Sequence, residues 1–333
     1  IWVNHAGEEK KYTFRDLKHL SNGAANILLK YGIKKGDRVM LMLPRIPEWW
    51  IFVLALIKLG VVFCPCPTML TPKDIKYRVQ AGKFRMIITD SENADKVDQV
   101  ADACHMLDTL FLVDGEREGW ASYPHELEYP APVSHHTVSM PVKKRTRSTD
   151  PMMIYFTSGT TGEPKMVLHN HAYPLGHIVT ASLWHDVTAN DLHFTFSDTG
   201  WAKCAWGKIF GQWIAGACIF VYDARGKFSA TELLPMIEKY EVTTFCAPPT
   251  VYRMLILADL DRFDFRELRH CCSAGEPLNP EVIRVWKDGT DRLIYEGYGQ
   301  TETVCCIATY PCMEHRPGSM GKPAPGWHIE LHD

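Results

Sequence analysis

Between residues 13 and 113, short apolar runs alternate with polar stretches that carry helix-capping signals. Thr13 followed by Asp16 makes a capping-box pattern, and the helix it opens can close at Gly32. Residues 37–43 read as a strand, residues 47–59 as a helix ended by Gly60, and residues 61–66 as the next strand. Thr71-Pro72 then supplies an N-cap and a proline at the first helical position. The apolar runs 86–89 and 110–113 complete the series. Such β-α-β alternation predicts a mostly parallel, doubly wound α/β sheet.

At 333 residues the chain has room for about two subdomains. Residues 1–150 are expected to form a first α/β subdomain with its connector, and residues 151–326 a second. Residues 115–150 read as an irregular connector with prolines, His135-His136, and a basic cluster of Lys143, Lys144, Arg145 and Arg147. Further on, strands are expected at 193–196, 217–222, 242–247, 269–274 and 292–296, with helices at 231–240 and 280–287. Residues 327–333 alternate like a strand and are expected to begin a small β-barrel.

Composition excludes several partner classes. The net charge of -3 offers no electrostatic reason for nucleic acid or an anionic membrane. The longest apolar run, Trp49 to Ile57, stops at Lys58 and is too short to span a bilayer. None of the eleven cysteines forms a Cys-x-x-Cys pair. Cys64-Pro65-Cys66, Cys271-Cys272 and Cys305-Cys306 sit inside apolar strand-like runs, where thiols act as small core residues in a reducing compartment. His135-His136 and His169-Asn170-His171 lack a matching set of metal ligands. A cytoplasmic location is expected, with the mitochondrial matrix as the alternative. The first residue, Ile1, falls in mid-pattern.

One loop carries the chemistry most directly. Between the apolar runs 152–156 and 166–168 lie Thr157, Ser158, Gly159, Thr160, Thr161, Gly162, Glu163, Pro164 and Lys165. The two glycines allow tight backbone turns whose N–H groups can face phosphate oxygens, four hydroxyls add donors, and Lys165 adds a point charge. The spacing differs from a Walker A loop, and the flanking apolar runs place it between two strands. Two more loops leave the expected carboxyl ends of strands, where open α/β sheets bind ligands. They are Gly275-Glu276-Pro277 and Glu296-Gly297-Tyr298-Gly299-Gln300-Thr301-Glu302. Tyr298 offers a flat face for a base, Thr301 a hydroxyl for phosphate, and Glu302 a hard oxygen for Mg²⁺ on a nucleotide.

With these motifs, the chain resembles the adenylate-forming superfamily of acyl-CoA synthetases, luciferases and peptide-synthetase adenylation domains. Ser197-Asp198-Thr199-Gly200-Trp201 and Gly299-Gln300-Thr301-Glu302-Thr303 are similar to the medium-chain acyl-CoA synthetases. The likeness covers essentially the whole chain. It implies a large N-terminal domain of that fold, with two doubly wound sheets packed with helices. It also implies ATP, Mg²⁺ and CoA, with a medium-chain or branched carboxylic acid as substrate.

The resemblance further implies that residues 157–165 hold the β- and γ-phosphates and that Gly275, Glu276 and Pro277 line adenine and ribose. Tyr298 would stack on the base, with Glu296, Gly297, Gly299 and Gln300 in the same nucleotide loop. Thr301 would contact the α-phosphate and Glu302 the metal, making Lys165, Thr301 and Glu302 the catalytic set. Trp201, Gly275 and Gly299 would wall the acyl pocket. Acetate-specific relatives carry tryptophan where this chain has Gly299, so the resemblance implies room for a longer acid. The expectation is that all three loops converge on one magnesium-bound triphosphate. Family members continue into a small barrel and a C-terminal lid domain beyond the pattern seen here, so a fragment with impaired activity is expected. Alternatives are an enzyme that loads a carrier protein and a non-catalytic nucleotide- or acyl-binding module.

Overall fold

A computed structural model of the protein describes residues 1–123, 145–157, 162–226 and 229–332. His135-His136, Lys143-Lys144 and the phosphate-loop residues Ser158, Gly159, Thr160 and Thr161 lie outside these. Two compact units result. One comprises residues 11–172 and 198–201, the other residues 1–10, 173–197 and 202–333.

The nine-stranded unit takes in the first two strands of the chain, β1 (Trp2–Asn4) and β2 (Glu9–Lys10). The seven-stranded unit begins with α1 (Phe14–Lys30), opened by the Thr13/Asp16 capping box, followed by β3 (Arg38–Met42). Helix α2 (Pro47–Leu59) carries a first-position proline and ends at Gly60 in the left-handed region, φ 67°. Next come β4 (Val62–Pro65), α3 (Pro72–Gly82) with its Thr71/Asp74 capping box, β5 (Met86–Thr89) and α4 (Ser91–Ala101). Strands β6 (Thr109–Leu112), β7 (Ala121–Ser122), β8 (Pro151–Thr157) and β9 (Lys165–Asn170) complete the sheet. Its order is β7-β6-β5-β3-β4-β8-β9, parallel except for the β8–β9 hairpin. Continuous burial of strands such as β5 fits a sheet covered on both faces.

The hairpin departs from the expected division at residue 150. Met153 on β8 pairs with Phe63 on β4, so the phosphate-loop hairpin belongs to the first sheet and not to the second subdomain. Its apolar residues Met152 to Tyr155 are buried, which gives β8 a place in the sheet interior that no local pattern specifies.

In the nine-stranded unit, α5 (Tyr173–Val179) leads to β10 (Leu192–Thr195), α6 (Ala202–Gly207), α7 (Phe210–Ile214) and β11 (Cys218–Asp223). Then follow α8 (Ala230–Lys239), β12 (Thr244–Ala247), α9 (Pro249–Leu255), β13 (His270–Ala274), α10 (Pro280–Thr290), β14 (Ile294–Gly299), β15 (Cys305–Ala308) and β16 (Lys322–Pro323). The order is β16-β15-β14-β13-β12-β10-β11-β1-β2, with a parallel centre from β14 to β1 and antiparallel edges. A core of Phe194, Phe220, Phe245, Tyr252 and Trp286 holds its helices to the sheet. The chain's first residues thus join the second sheet, β1 lying parallel to β11.

Residues 327–332 form no strand, against expectation. Trp327 is 40% and Leu331 100% exposed, so the alternating pattern has no sheet face to bury among the described residues.

Candidate functional site

The expected site residues fall on both units, and each group can be built within its own unit. On the seven-stranded unit, Thr157 and Lys165 form the closing pair of the β8–β9 hairpin. Gly162 in the intervening turn has φ 103°, open to glycine but strained for other residues. Helix α3 supports the hairpin: the Tyr77 hydroxyl donates to the Pro164 carbonyl at 2.9 Å, and Arg78 lies over the Phe156 ring at 5.2 Å. Lys165 is exposed, leaving its ammonium free to meet an anion. Tyr77 was not singled out by sequence, because no local pattern links a residue on α3 to one 87 positions later.

The Asp198–Trp201 turn also belongs to this unit. Thr199 donates to the Leu43 carbonyl at 2.5 Å, and the Gly200 N–H donates to Asp198 Oδ1 at 2.9 Å. A Cβ on Gly200 would collide with the Cys66–Pro67 backbone, so only glycine lets the turn sit this close. Trp201 leaves the turn 61% exposed.

On the nine-stranded unit the two strand-end loops stand on adjacent strands, with Ala274 of β13 in register with Gly297 of β14. Gly275 takes φ 113°, which lets the chain turn sharply off β13. Glu276 is exposed and paired with Arg253 at 2.9 Å, and Pro277 is exposed beside it. Lys203 donates to the Ala274 carbonyl at 2.6 Å, and burial lowers the pKa of its ammonium.

At the end of β14 the register shifts between Tyr298 and Gly299, a bulge that re-aims the following turn. Tyr298 is 40% exposed. The turn is held by the Gln300 N–H donating to Thr303 Oγ1 at 2.9 Å and the Thr303 N–H donating to the Gln300 carbonyl at 3.0 Å. That fixes Thr301 and leaves the Glu302 carboxylate exposed. Among the described residues no cluster of three or more His, Cys, Asp or Glu suits a metal ion.

Three expectations change here. A ligand-facing Glu296 is not found: the residue is 7% exposed and its oxygens accept the Leu278 and Gly318 N–H groups. Burial raises its carboxyl pKa, against the pull of those two bonds. Gly297 is covered by Trp184, whose ring would lie 2.5 Å from a Cβ there. Gly299 is not open either, because a Cβ there would meet Trp206 and the Val304 carbonyl at under 3.0 Å. A glycine that looks like empty space in sequence is here a seat for a neighbouring indole.

The model of a family described as AMP-binding enzyme matches residues 1–333. The chain belongs to that family. It is 45% identical to rat acyl-coenzyme A synthetase ACSM3, mitochondrial, and 43% identical to the human ACSM5 protein, in each case over the whole chain. It spans 56% of the length of these relatives. Among solved structures it superposes on a Brucella canis acyl-CoA synthetase with TM-score 0.88 at 27% identity, covering 100% of this chain and 60% of that one. It also superposes on an anthranilate CoA ligase in complex with anthranoyl-AMP, with TM-score 0.89 at 26% identity, covering 100% of this chain and 62% of that one.

Proposed function

We propose that this chain is the ATP- and acid-binding part of an AMP-forming acyl-CoA synthetase acting on a medium-chain or branched carboxylic acid. The observation that carries the reading is the family match over the whole chain, with acyl-coenzyme A synthetases as its relatives at 45% identity. Exposed Lys165, fixed Thr301 and exposed Glu302 are the groups this chemistry requires.

A carboxylate is ionised at neutral pH and needs no base. One of its oxygens attacks the α-phosphorus of ATP, the bond to the bridging oxygen breaks, and pyrophosphate leaves. The CoA thiolate then attacks the acyl carbon, and AMP departs. Positioning and charge neutralisation carry the first step. In this reading Thr157, Gly162 and Lys165 bind the β- and γ-phosphates together with Ser158, Gly159, Thr160 and Thr161. Gly275, Glu276, Pro277 and Tyr298 hold the adenosine, Thr301 meets the α-phosphate, and Glu302 holds Mg²⁺. Trp206, seated over Gly299, takes over the chain-length role first expected of the glycine. The mitochondrial designation of the relatives favours a mitochondrial location for this protein over a cytoplasmic one, and eleven free thiols agree with a reducing compartment. No described helix is long and apolar enough to cross a membrane.

The test is acid-dependent exchange of labelled pyrophosphate into ATP, read across acids of increasing chain length. Exchange that peaks beyond acetate is expected. The absence of exchange with every acid, in a protein of the relatives' full length, would end the proposal.

A further inference from the structure

The Gly275–Pro277 loop turns on a glycine at φ 113°, so its backbone has little stiffness of its own. Something else must hold it. At its near end Lys203 Nζ donates to the Ala274 carbonyl at 2.6 Å, and in its middle Arg253 pairs with Glu276 at 2.9 Å. At its far end the Leu278 N–H donates to Glu296 Oε1 at 3.2 Å, while the Gly318 N–H donates to Glu296 Oε2 at 3.3 Å. The second segment is itself docked on the sheet: His315 Nε2 bonds the Ile294 carbonyl at 2.9 Å, and Thr309 donates to the Ser319 carbonyl at 3.3 Å. Glu296 is equally fixed, pairing with Ser273 on β13 and accepting the Thr309 N–H at its carbonyl, 2.9 Å.

We propose that Glu296 is a positioning residue, which ties the Gly275–Pro277 loop to the Gly318 segment through two backbone N–H groups and makes no contact with the nucleotide. This rests on the reading of that loop as nucleotide-binding. A buried carboxylate is costly unless its oxygens are bonded, and here each oxygen accepts a backbone donor from a different segment. The arrangement spans two glycine-pivoted stretches, since Gly318 also lies at positive φ, 84°. Neutral glutamine has the same shape but one acceptor oxygen, so it can keep only one of the two ties.

The test is Glu296→Gln in the 333-residue chain. Hydrogen exchange at the Leu278 and Gly318 amides is read without ligand, and calorimetry follows binding of magnesium ATP and magnesium ITP, whose base lacks the exocyclic amine. Exchange protection at one or both amides should fall about tenfold, and affinity for ATP and ITP should weaken by the same factor, also about tenfold. Unchanged protection at both amides overturns the proposal. So does a loss confined to ATP, which would mean that Glu296 touches the base itself. Where the wild-type chain binds neither nucleotide, the amide exchange alone decides whether Glu296 ties the two segments, and the nucleotide reading is decided by pyrophosphate exchange in a protein of the relatives' full length. Should Glu296→Gln not fold, Glu296→Asp keeps the charge with one methylene less reach, and the same readouts apply.

Discussion

Trp206 occupies the space that a side chain on Gly299 would need: a Cβ at Gly299 would lie under 3.0 Å from its indole ring. Trp206 is itself 6% exposed and meets Trp184 edge-on at 6.5 Å between ring centroids. The two indoles therefore back the Gly297–Gly299 end of β14, since Trp184 covers Gly297 in the same way.

Gly299→Ala should accordingly destabilise the protein by about 1–3 kcal/mol, through overpacking against Trp206 and the Val304 carbonyl. Adding Trp206→Leu should recover part of that loss. Urea denaturation of the single and double variants measures both. A Gly299→Ala protein as stable as wild type would mean the indole yields freely.

Gly200→Ala should be more damaging, at about 3 kcal/mol or more, because its Cβ meets the Cys66–Pro67 backbone and not the movable end of a side chain. Thermal unfolding compared with an exposed control, Gly7→Ala, separates crowding from left-handed backbone strain. Gly7 has φ 84° and nothing within reach of a Cβ. Equal losses at the two positions would contradict the close packing of the Asp198–Trp201 turn.

Lys165→Ala and Glu302→Ala should leave the melting temperature within about a degree of wild type, since both side chains are exposed. Each should lower acid-dependent pyrophosphate exchange by about a hundredfold, the scale of a lost transition-state contact. Wild-type exchange in either variant would remove that residue from the phosphate and metal assignment.

Acid should weaken the nine-stranded unit through three buried imidazoles. His193 is held between Thr244 and Thr195, each hydroxyl 2.7 Å away, and its ring is 4.8 Å from that of His185. His270 meets the Trp184 carbonyl at 2.7 Å. Burial pushes His193 down to about 3 and moves His185 and His270 below the ordinary value of 6.5. The unfolded chain then binds more protons below pH 6.5. Their stabilising effect is complete above that pH and is lost as pH falls below it; for His193 the loss continues toward pH 3, at about 1.4 kcal/mol per unit where the unfolded imidazole is charged and the folded one is not. Urea unfolding between pH 7 and 5 should show that slope, and His193→Gln should reduce it by about one proton. An unchanged slope would show that His193 is protonated in the folded protein.

Much of the secondary structure was legible locally. The Thr13/Asp16 capping box, the Thr71 cap with Pro72 behind it, the Pro47 start and the Gly60 stop appear where side-chain and backbone chemistry place them. The Gly275 loop follows a strand end and the Thr157–Lys165 segment joins two paired strands, whereas β14 runs on through Tyr298 to Gly299 before the chain turns at Gln300. What sequence missed were Lys203, Arg253, Tyr77 and Trp206, whose partners lie 71, 23, 87 and 93 positions away. It also read Glu296 as a ligand contact, because an acid inside a glycine-rich strand end looks the same whether its oxygens face solvent or a neighbouring amide.

By itself, the sequence determined where most helices begin and stop and which apolar runs become most of the strands, because capping, turn formation and apolar periodicity act over a few residues. Only the tertiary structure decided that the β8–β9 hairpin completes the first sheet, that residues 2–4 complete the second, and that an indole fills the space above Gly299. Strand partners and side-chain contacts are chosen among distant segments by packing, and packing has no signature in any short stretch of chain.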